Sequence, residues 1–154
     1  MQDTGNYYLI SHLVLLTGLT DRTIRNYIAM GILCGEKING LWHFTPEQVE
    51  AFVQHPTVRP SIAAKNNGLV HGFLIDANKI KEEACLILDI PGKNKQAVAE
   101  FFCYRISNGG YQDIQFSYDG AGKLSRVILK GDAAEIIHLV NEYSREQALS
   151  QPAG

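Results

Sequence analysis

Residues 10–29 have the sequence ISHLVLLTGLTDRTIRNYIA, and this segment decides the fold of the first part of the chain. Apolar residues recur at helical spacing over residues 10–16, and Gly18 follows at the position of a left-handed C-terminal cap. Thr20 can cap a second helix, whose apolar face carries Ile24, Tyr27 and Ile28. The opposite face carries the polar residues Arg22, Arg25 and Asn26. This pattern predicts a helix-turn-helix whose second helix offers its polar face to the DNA major groove.

A hairpin and a third helix are predicted directly after these two helices. The short apolar runs 32–34 and 41–44 flank residues 35–40, in which Asn39-Gly40 favours a tight turn. Thr45 can then cap a helix with Pro46 at its first position and Gln48 completing a capping box. The order helix, turn, helix, hairpin and helix predicts a winged helix-turn-helix over residues 1–56.

This order of elements resembles the MerR family of transcription regulators and the related excisionase-type winged helices, over about residues 8–54. The resemblance is carried by residues 17–20 (TGLT), 22–27 (RTIRNY), 31–33 (GIL) and 39–44 (NGLWHF). It implies that Arg22, Arg25 and the wing contact DNA, usually a pseudo-palindrome bound by a homodimer. This chain has Asn26 where the family usually has an aromatic residue, and Trp42 beside His43 where the wing usually has an arginine. The family also has a long antiparallel helix after this unit, which residues 57–68 are not expected to form.

The predicted DNA-binding residues lie on the second helix and in the hairpin. They are Thr20, Arg22, Thr23, Arg25, Asn26, Lys37, Trp42 and His43. Arginine and asparagine are the usual partners of guanine and adenine, whereas lysine contacts phosphate. Other roles stay open, because the two arginines can form a solvated face, Trp42 can cover the core and His43 can be structural.

The rest of the chain is predicted to form a second unit. Residues 56–68 contain two prolines and no clear period, which indicates a linker over residues 57–68. Residues 69–146 then alternate strand-like and helix-like patterns in the order ββαββα, and residues 147–154 are expected to be a flexible tail. The predicted class is α+β, with a small antiparallel-rich sheet that carries its helices on one face. This unit is expected to hold two copies together or to bind a small-molecule or protein effector.

Composition and motifs narrow the possible functions. The chain has 154 residues, 45% of them apolar, and a formal charge of −2. No apolar run is long enough to span a membrane and the start does not resemble a secretion signal, so the sequence predicts a cytoplasmic location. Familiar catalytic motifs and metal-ligand spacings are missing, so we expect no enzyme activity, catalytic residue, metal or cofactor. The three cysteines are expected to be reduced core thiols.

Two functions remain open from the sequence. The first is a sequence-specific regulator that binds double-stranded DNA and is expected to be a homodimer. The second is a protein-interaction module whose winged helix binds another protein. Residues 1–56 contain three basic and five acidic residues, a balance that favours the second function. The Arg22 and Arg25 face favours the first, since charge on a contact face matters more than a domain total.

Overall fold

The computed structural model describes residues 7–92, 94–120 and 123–150, and these residues form six helices and five strands. The helices are α1 (Ile10–Thr17), α2 (Asp21–Ala29), α3 (Pro46–Val53), α4 (Arg59–Ile75), α5 (Lys95–Asn108) and α6 (Ala133–Ser150). The strands are β1 (Glu36–Ile38), β2 (Leu41–His43), β3 (Glu83–Pro91), β4 (Ile114–Asp119) and β5 (Leu124–Asp132). The α+β class expected from the sequence is therefore confirmed.

The first five elements follow the predicted order and share an apolar core. Strands β1 and β2 pair in antiparallel register, with Lys37 opposite Trp42. Asn39 (φ 51°) and Gly40 (φ 83°) both adopt the left-handed conformation that a two-residue hairpin turn requires. The backbone of Tyr8 pairs with that of Phe44, which joins the start of α1 to the hairpin. These elements enclose fully buried side chains, among them Leu13, Ile24 and Phe52.

Helix α4 corrects two expectations from the sequence. Residues 59–68 of the predicted linker form one helix of 17 residues with residues 69–75, which were expected to be the first strand of the ββαββα unit. Pro60 is compatible with this helix because it lies in the first turn, where the missing N–H has no intrahelical partner to lose. Ile62 and Asn66 are buried, so packing overrides the weak local signal. A long helix does therefore follow the hairpin unit, contrary to the expectation.

The second sheet has the strand order β3-β5-β4, and both pairings are antiparallel. The chain order in this part is βαββα, which corrects the predicted ββαββα because the first expected strand belongs to α4. Leu129 at the centre of β5 lies opposite Leu86 on β3 and Phe116 on β4. Among the described residues, β3 and β4 are the edge strands of this sheet, because each pairs with β5 on one side only.

Helices lie on both faces of this sheet, which corrects the expectation of one covered face. On one face, Phe102 of α5 stacks on Phe116, with ring centroids 6.0 Å apart. On the other face, the Ser117 hydroxyl donates a hydrogen bond to Asn66 of α4. The same helix supplies Arg59, whose guanidinium forms two hydrogen bonds of 2.7 and 3.0 Å with Asp119. Both pairs are partly or fully buried, so α4 is held against β4 at two positions, Arg59 and Asn66.

Among the described residues, every buried apolar side chain except Ile128 belongs to one continuous cluster that extends from Tyr8 to Tyr143. It is continuous because α1 packs against β4 and α5 as well as against α2. Helix α6 extends to Ser150, so residues 147–150 of the expected tail are helical, and residues 151–154 lie outside the described part. Among the described residues, no helix combines the length and apolar character that a membrane crossing needs.

Candidate functional site

Thr20 and Thr23 define the start of α2 through a side-chain cap. The Thr20 hydroxyl oxygen accepts a hydrogen bond of 3.1 Å from the Thr23 backbone N–H. The two hydroxyl oxygens also lie 2.9 Å apart, with Thr20 donating to Thr23. This cap satisfies one of the free N–H groups of the first turn and sets the direction of the helix. Both threonines therefore have a structural role that does not depend on any ligand.

The outward face of α2 carries the predicted polar side chains. Arg22, Arg25 and Asn26 are exposed, whereas Ile24 and Tyr27 are buried on the opposite side. Tyr27 packs edge-on against Phe52 of α3, with ring centroids 5.5 Å apart. Its hydroxyl lies 3.3 Å from the hydroxyl of Ser61 on α4. The buried side thus fixes the rotation of α2, and the exposed side is left free for a partner.

The two arginines of this face differ in their electrostatic state. Arg25 Nε lies 2.6 Å from the carboxylate of Asp21, four residues earlier on the same helix. Arg22 has no ion pair among the described residues. Because the Arg25 pair is more than half exposed, it contributes little to stability but halves the positive charge of the face. Arg22 is therefore the stronger candidate for a direct contact with an anionic partner.

The hairpin presents a basic and an apolar surface. Lys37 Nζ lies 5.9 Å from the Trp42 ring centroid, and Trp42 stacks on the buried ring of Phe44 at 6.3 Å. His43 Nδ1 lies 3.0 Å from the Leu41 carbonyl oxygen, and its ring meets Tyr7 edge-on. Trp42 and His43 thus stabilise the hairpin, as the structural alternative for these residues supposes, while Lys37 remains exposed.

Three exposed apolar side chains near this face were not singled out from the sequence. Met30 is 64% exposed at the end of α2, and Ile38 and Leu41 flank the hairpin turn. Their positions beside Gly31 and beside Asn39-Gly40 are the sequence signal for their exposure, because residues at loop tips contact little of the core. These apolar side chains extend the candidate surface beyond its charged residues.

The positive charge near this surface is small. Arg59 is engaged with Asp119, and that hydrogen bond raises the pKa of the Arg59 guanidinium. Glu36 lies on β1 opposite His43, and α3 carries Glu47 and Glu50 on exposed positions. Within residues 7–56, Arg22 and Lys37 are thus the basic side chains without a carboxylate partner. An interface built here would depend more on shape and hydrogen bonding than on charge.

Comparisons with protein-family models, with curated proteins and with solved structures gave no match. Among the described residues, no group of three His, Cys, Asp or Glu side chains is arranged to hold a metal ion. The candidate site is therefore defined by the geometry of α2 and of the hairpin.

Proposed function

We propose that the chain is a regulator that binds double-stranded DNA through α2 and the β1-β2 hairpin. The observation that carries this proposal is the division of α2 into a buried face and an exposed face with Arg22, Arg25 and Asn26. A helix that is held from behind and exposes arginine and asparagine has the chemistry needed to read base edges in a major groove.

The roles within this interface follow from the contacts. Arg22 and Asn26 are exposed and can reach guanine and adenine edges, and Lys37 on the hairpin can contact a phosphate. Arg25 can contact DNA when its ion pair with Asp21 opens. The Asp21 carboxylate can then accept a hydrogen bond from a cytosine amino group. Thr20, Thr23, Trp42 and His43 support the proposal by holding the helix and the hairpin in place.

Two copies of the chain are proposed to act together. The edge strand β3 is nine residues long, and Ile87 at its centre is 51% exposed. Leu74 of α4 is 72% exposed and borders the same groove as Ile87. Long edge strands with exposed apolar residues tend to pair with a second strand. An antiparallel β3 pair across a twofold axis would join two copies of the chain and, with them, two α2 helices.

The test compares two alanine variants on a duplex recovered by selection from a random pool. We expect Arg22→Ala to weaken binding by about 5- to 150-fold, which corresponds to about 1–3 kcal/mol for one lost base or phosphate contact. Lys123→Ala removes an exposed positive charge from the start of β5, next to the described sheet, and we expect it to change the affinity by less than about twofold. Fluorescence anisotropy measures both. Equal effects of the two variants would contradict the assignment of α2.

A protein-interaction role is the second candidate, and the exposed apolar residues favour it. Met30, Ile38 and Leu41 give the surface an apolar character that is more typical of protein contacts than of phosphate contacts. The Asp21 carboxylate further lowers the positive charge of α2. If selection from the random pool yields no preferred duplex even at low salt, this second role replaces the first.

A further inference from the structure

A cavity of about 360 Å³ lies between the first turns of α1 and the second half of α5. It is separate from the exposed face of α2, because its walls come from the start of the chain and from α5. The side chains that determine its chemistry are Tyr7, Tyr8, His12, Glu100, Tyr104 and Asn108. Three aromatic hydroxyl-bearing rings and one carboxylate therefore surround a space large enough for a small organic molecule.

Glu100 is the anionic group of this cavity and retains hydrogen-bonding capacity. Its Oε2 atom accepts hydrogen bonds from Gln96 Nε2 at 2.9 Å and from the Tyr8 hydroxyl at 3.4 Å. Its Oε1 atom has no hydrogen-bond partner among the described residues. Since an ionised carboxylate can accept about four hydrogen bonds, one of its oxygens is available to a ligand. The group is half-buried, so a charge brought to it is screened less than at the open surface.

No positive charge lines the described walls of the cavity. His12 Nδ1 accepts a hydrogen bond of 2.9 Å from the Leu9 backbone N–H, so a proton on this nitrogen would break that bond. Burial also lowers the pKa of His12, which favours the neutral ring. Arg105, the nearest arginine on α5, forms ion pairs with Glu142 and Glu146 of α6. Among the described residues, the carboxylate of Glu100 therefore has no ion pair with a cation.

Two groups beside Glu100, Cys103 and Tyr8, carry no charge of their own. Burial and the nearby Glu100 carboxylate raise the pKa of the Cys103 thiol to about 12. The same two causes raise the pKa of the Tyr8 hydroxyl. Both groups therefore stay protonated and neutral at physiological pH. A negatively charged ligand would meet an unfavourable potential here, whereas a cation would be attracted.

We propose that this cavity binds a small organic ammonium ion, with Glu100 as counter-ion and the tyrosine rings as cation–π partners. Tyr104 is 65% exposed and stands at the mouth, while Tyr8 is buried at the base. Aromatic rings attract a cation through their quadrupole, and a carboxylate beside them adds a direct charge interaction. Asn108 and the His12 ring offer neutral polar atoms to the uncharged part of the ligand. This site does not depend on DNA binding by α2.

The test compares choline with its neutral isostere dimethylbutanol, in which a carbon atom replaces the ammonium nitrogen. Isothermal titration calorimetry on the full chain measures both. We expect choline to bind at least about tenfold more tightly, because the two molecules share a shape and differ in charge. Equal affinity for the two probes, or no saturable binding of choline, would overturn the proposal.

Three variants assign the effect to the cavity. Glu100→Gln keeps the size and hydrogen-bonding ability of the side chain, and we expect it to remove the preference for choline. Tyr104→Leu alters an exposed ring, so folding is preserved, and we expect choline affinity to fall about two- to fivefold. Glu82→Gln removes an exposed carboxylate from the loop before β3 and should leave both affinities unchanged. If Glu100→Gln retains the wild-type preference while circular dichroism shows a native fold, the assignment is wrong.

Discussion

Leu129→Ala tests whether the hairpin unit and the β3-β5-β4 sheet unfold as one body. Leu129 lies at the centre of the middle strand and is completely buried. Truncating such a leucine removes apolar contacts and leaves a cavity, which costs about 2–5 kcal/mol. The free energy of unfolding of a domain of this size is about 5–15 kcal/mol. The variant should therefore remain folded at low temperature but lose a large part of its stability.

The sequence provides two independent probes for this experiment. Trp42 is the single tryptophan of the chain and lies in the hairpin, so its fluorescence reports on the first unit. Far-ultraviolet circular dichroism reports on all helices and strands. With a urea dependence of about 1.5–2 kcal/mol per M, a loss of about 3 kcal/mol moves the midpoint by about 1.5–2 M. We expect both signals to move by this amount together, because α1 packs against β4 and α5.

The control is Leu149→Ala, which truncates a leucine that is 82% exposed near the end of α6. A surface change of this kind alters stability by about 0.5 kcal/mol or less. The reasoning is refuted if the Trp42 transition of Leu129→Ala keeps the wild-type midpoint while the circular dichroism transition shifts. That result would show that residues 1–56 and the sheet are independent domains, as the division expected from the sequence supposes.

Three further perturbations have defined outcomes. Asp21→Asn removes the ion-pair partner of Arg25, so we expect each protomer of a dimer to gain one phosphate contact. The slope of log affinity against log salt, measured by fluorescence anisotropy, should then become steeper by about 1.8. An unchanged slope would contradict the DNA proposal for this face. Cys34 is exposed and should react with Ellman's reagent in the native protein, whereas Cys103, whose pKa burial raises to about 12, should react only after unfolding. The hydrogen bond from the first turn of α6 lowers the pKa of Asp132, so its carboxylate stabilises the fold above the unfolded-state pKa. Asp132→Asn should thus lower the urea midpoint at neutral pH, and its difference from wild type should vanish as acid protonates the native carboxylate.

The first elements could be predicted because their signals are local. The Thr45 hydroxyl accepts from the Gln48 backbone N–H at 3.1 Å, and the Gln48 side chain accepts from the Thr45 N–H at 2.9 Å. This is the reciprocal pattern that the spacing of these two residues implies. The cap at Thr20 and the turn at Asn39-Gly40 are equally short in range. Each depends on residues within four positions, which a sequence displays directly.

Helix α4 was misread because its decisive contacts are distant in the chain. The apolar residues 69–75 fit a buried strand or a helix equally well, and a short run does not distinguish them. Asn66 is buried because it accepts a hydrogen bond from Ser117, 51 residues later. Arg59 is likewise held by Asp119, 60 residues later. Neither partner is visible from the local pattern, so residues 57–68 looked like an ordinary connection.

The exposed face of α2 was predicted correctly from its helical period, but its charge was not. Asp21 and Arg25 are four positions apart, the spacing at which oppositely charged side chains pair on a helix. That spacing was a usable signal for the reduced positive charge. The expectation that all three cysteines lie in the core was also wrong for Cys34, which is exposed after α2. In both cases the prediction rested on the neighbouring residue types alone. The missing information was which side chains lie next to each other at the two ends of α2.

Helix α1 carried a sequence signal for its second packing partner. Its eight residues include apolar side chains around the whole circumference, and not only on the side that meets α2. A helix that is apolar all round is buried on more than one side. Val14 and Leu15 indeed pack against the common core and border the cleft that also contains Phe116 of β4. A free-standing first unit would leave this side in water, so the composition of α1 argues for one body and against a detachable domain.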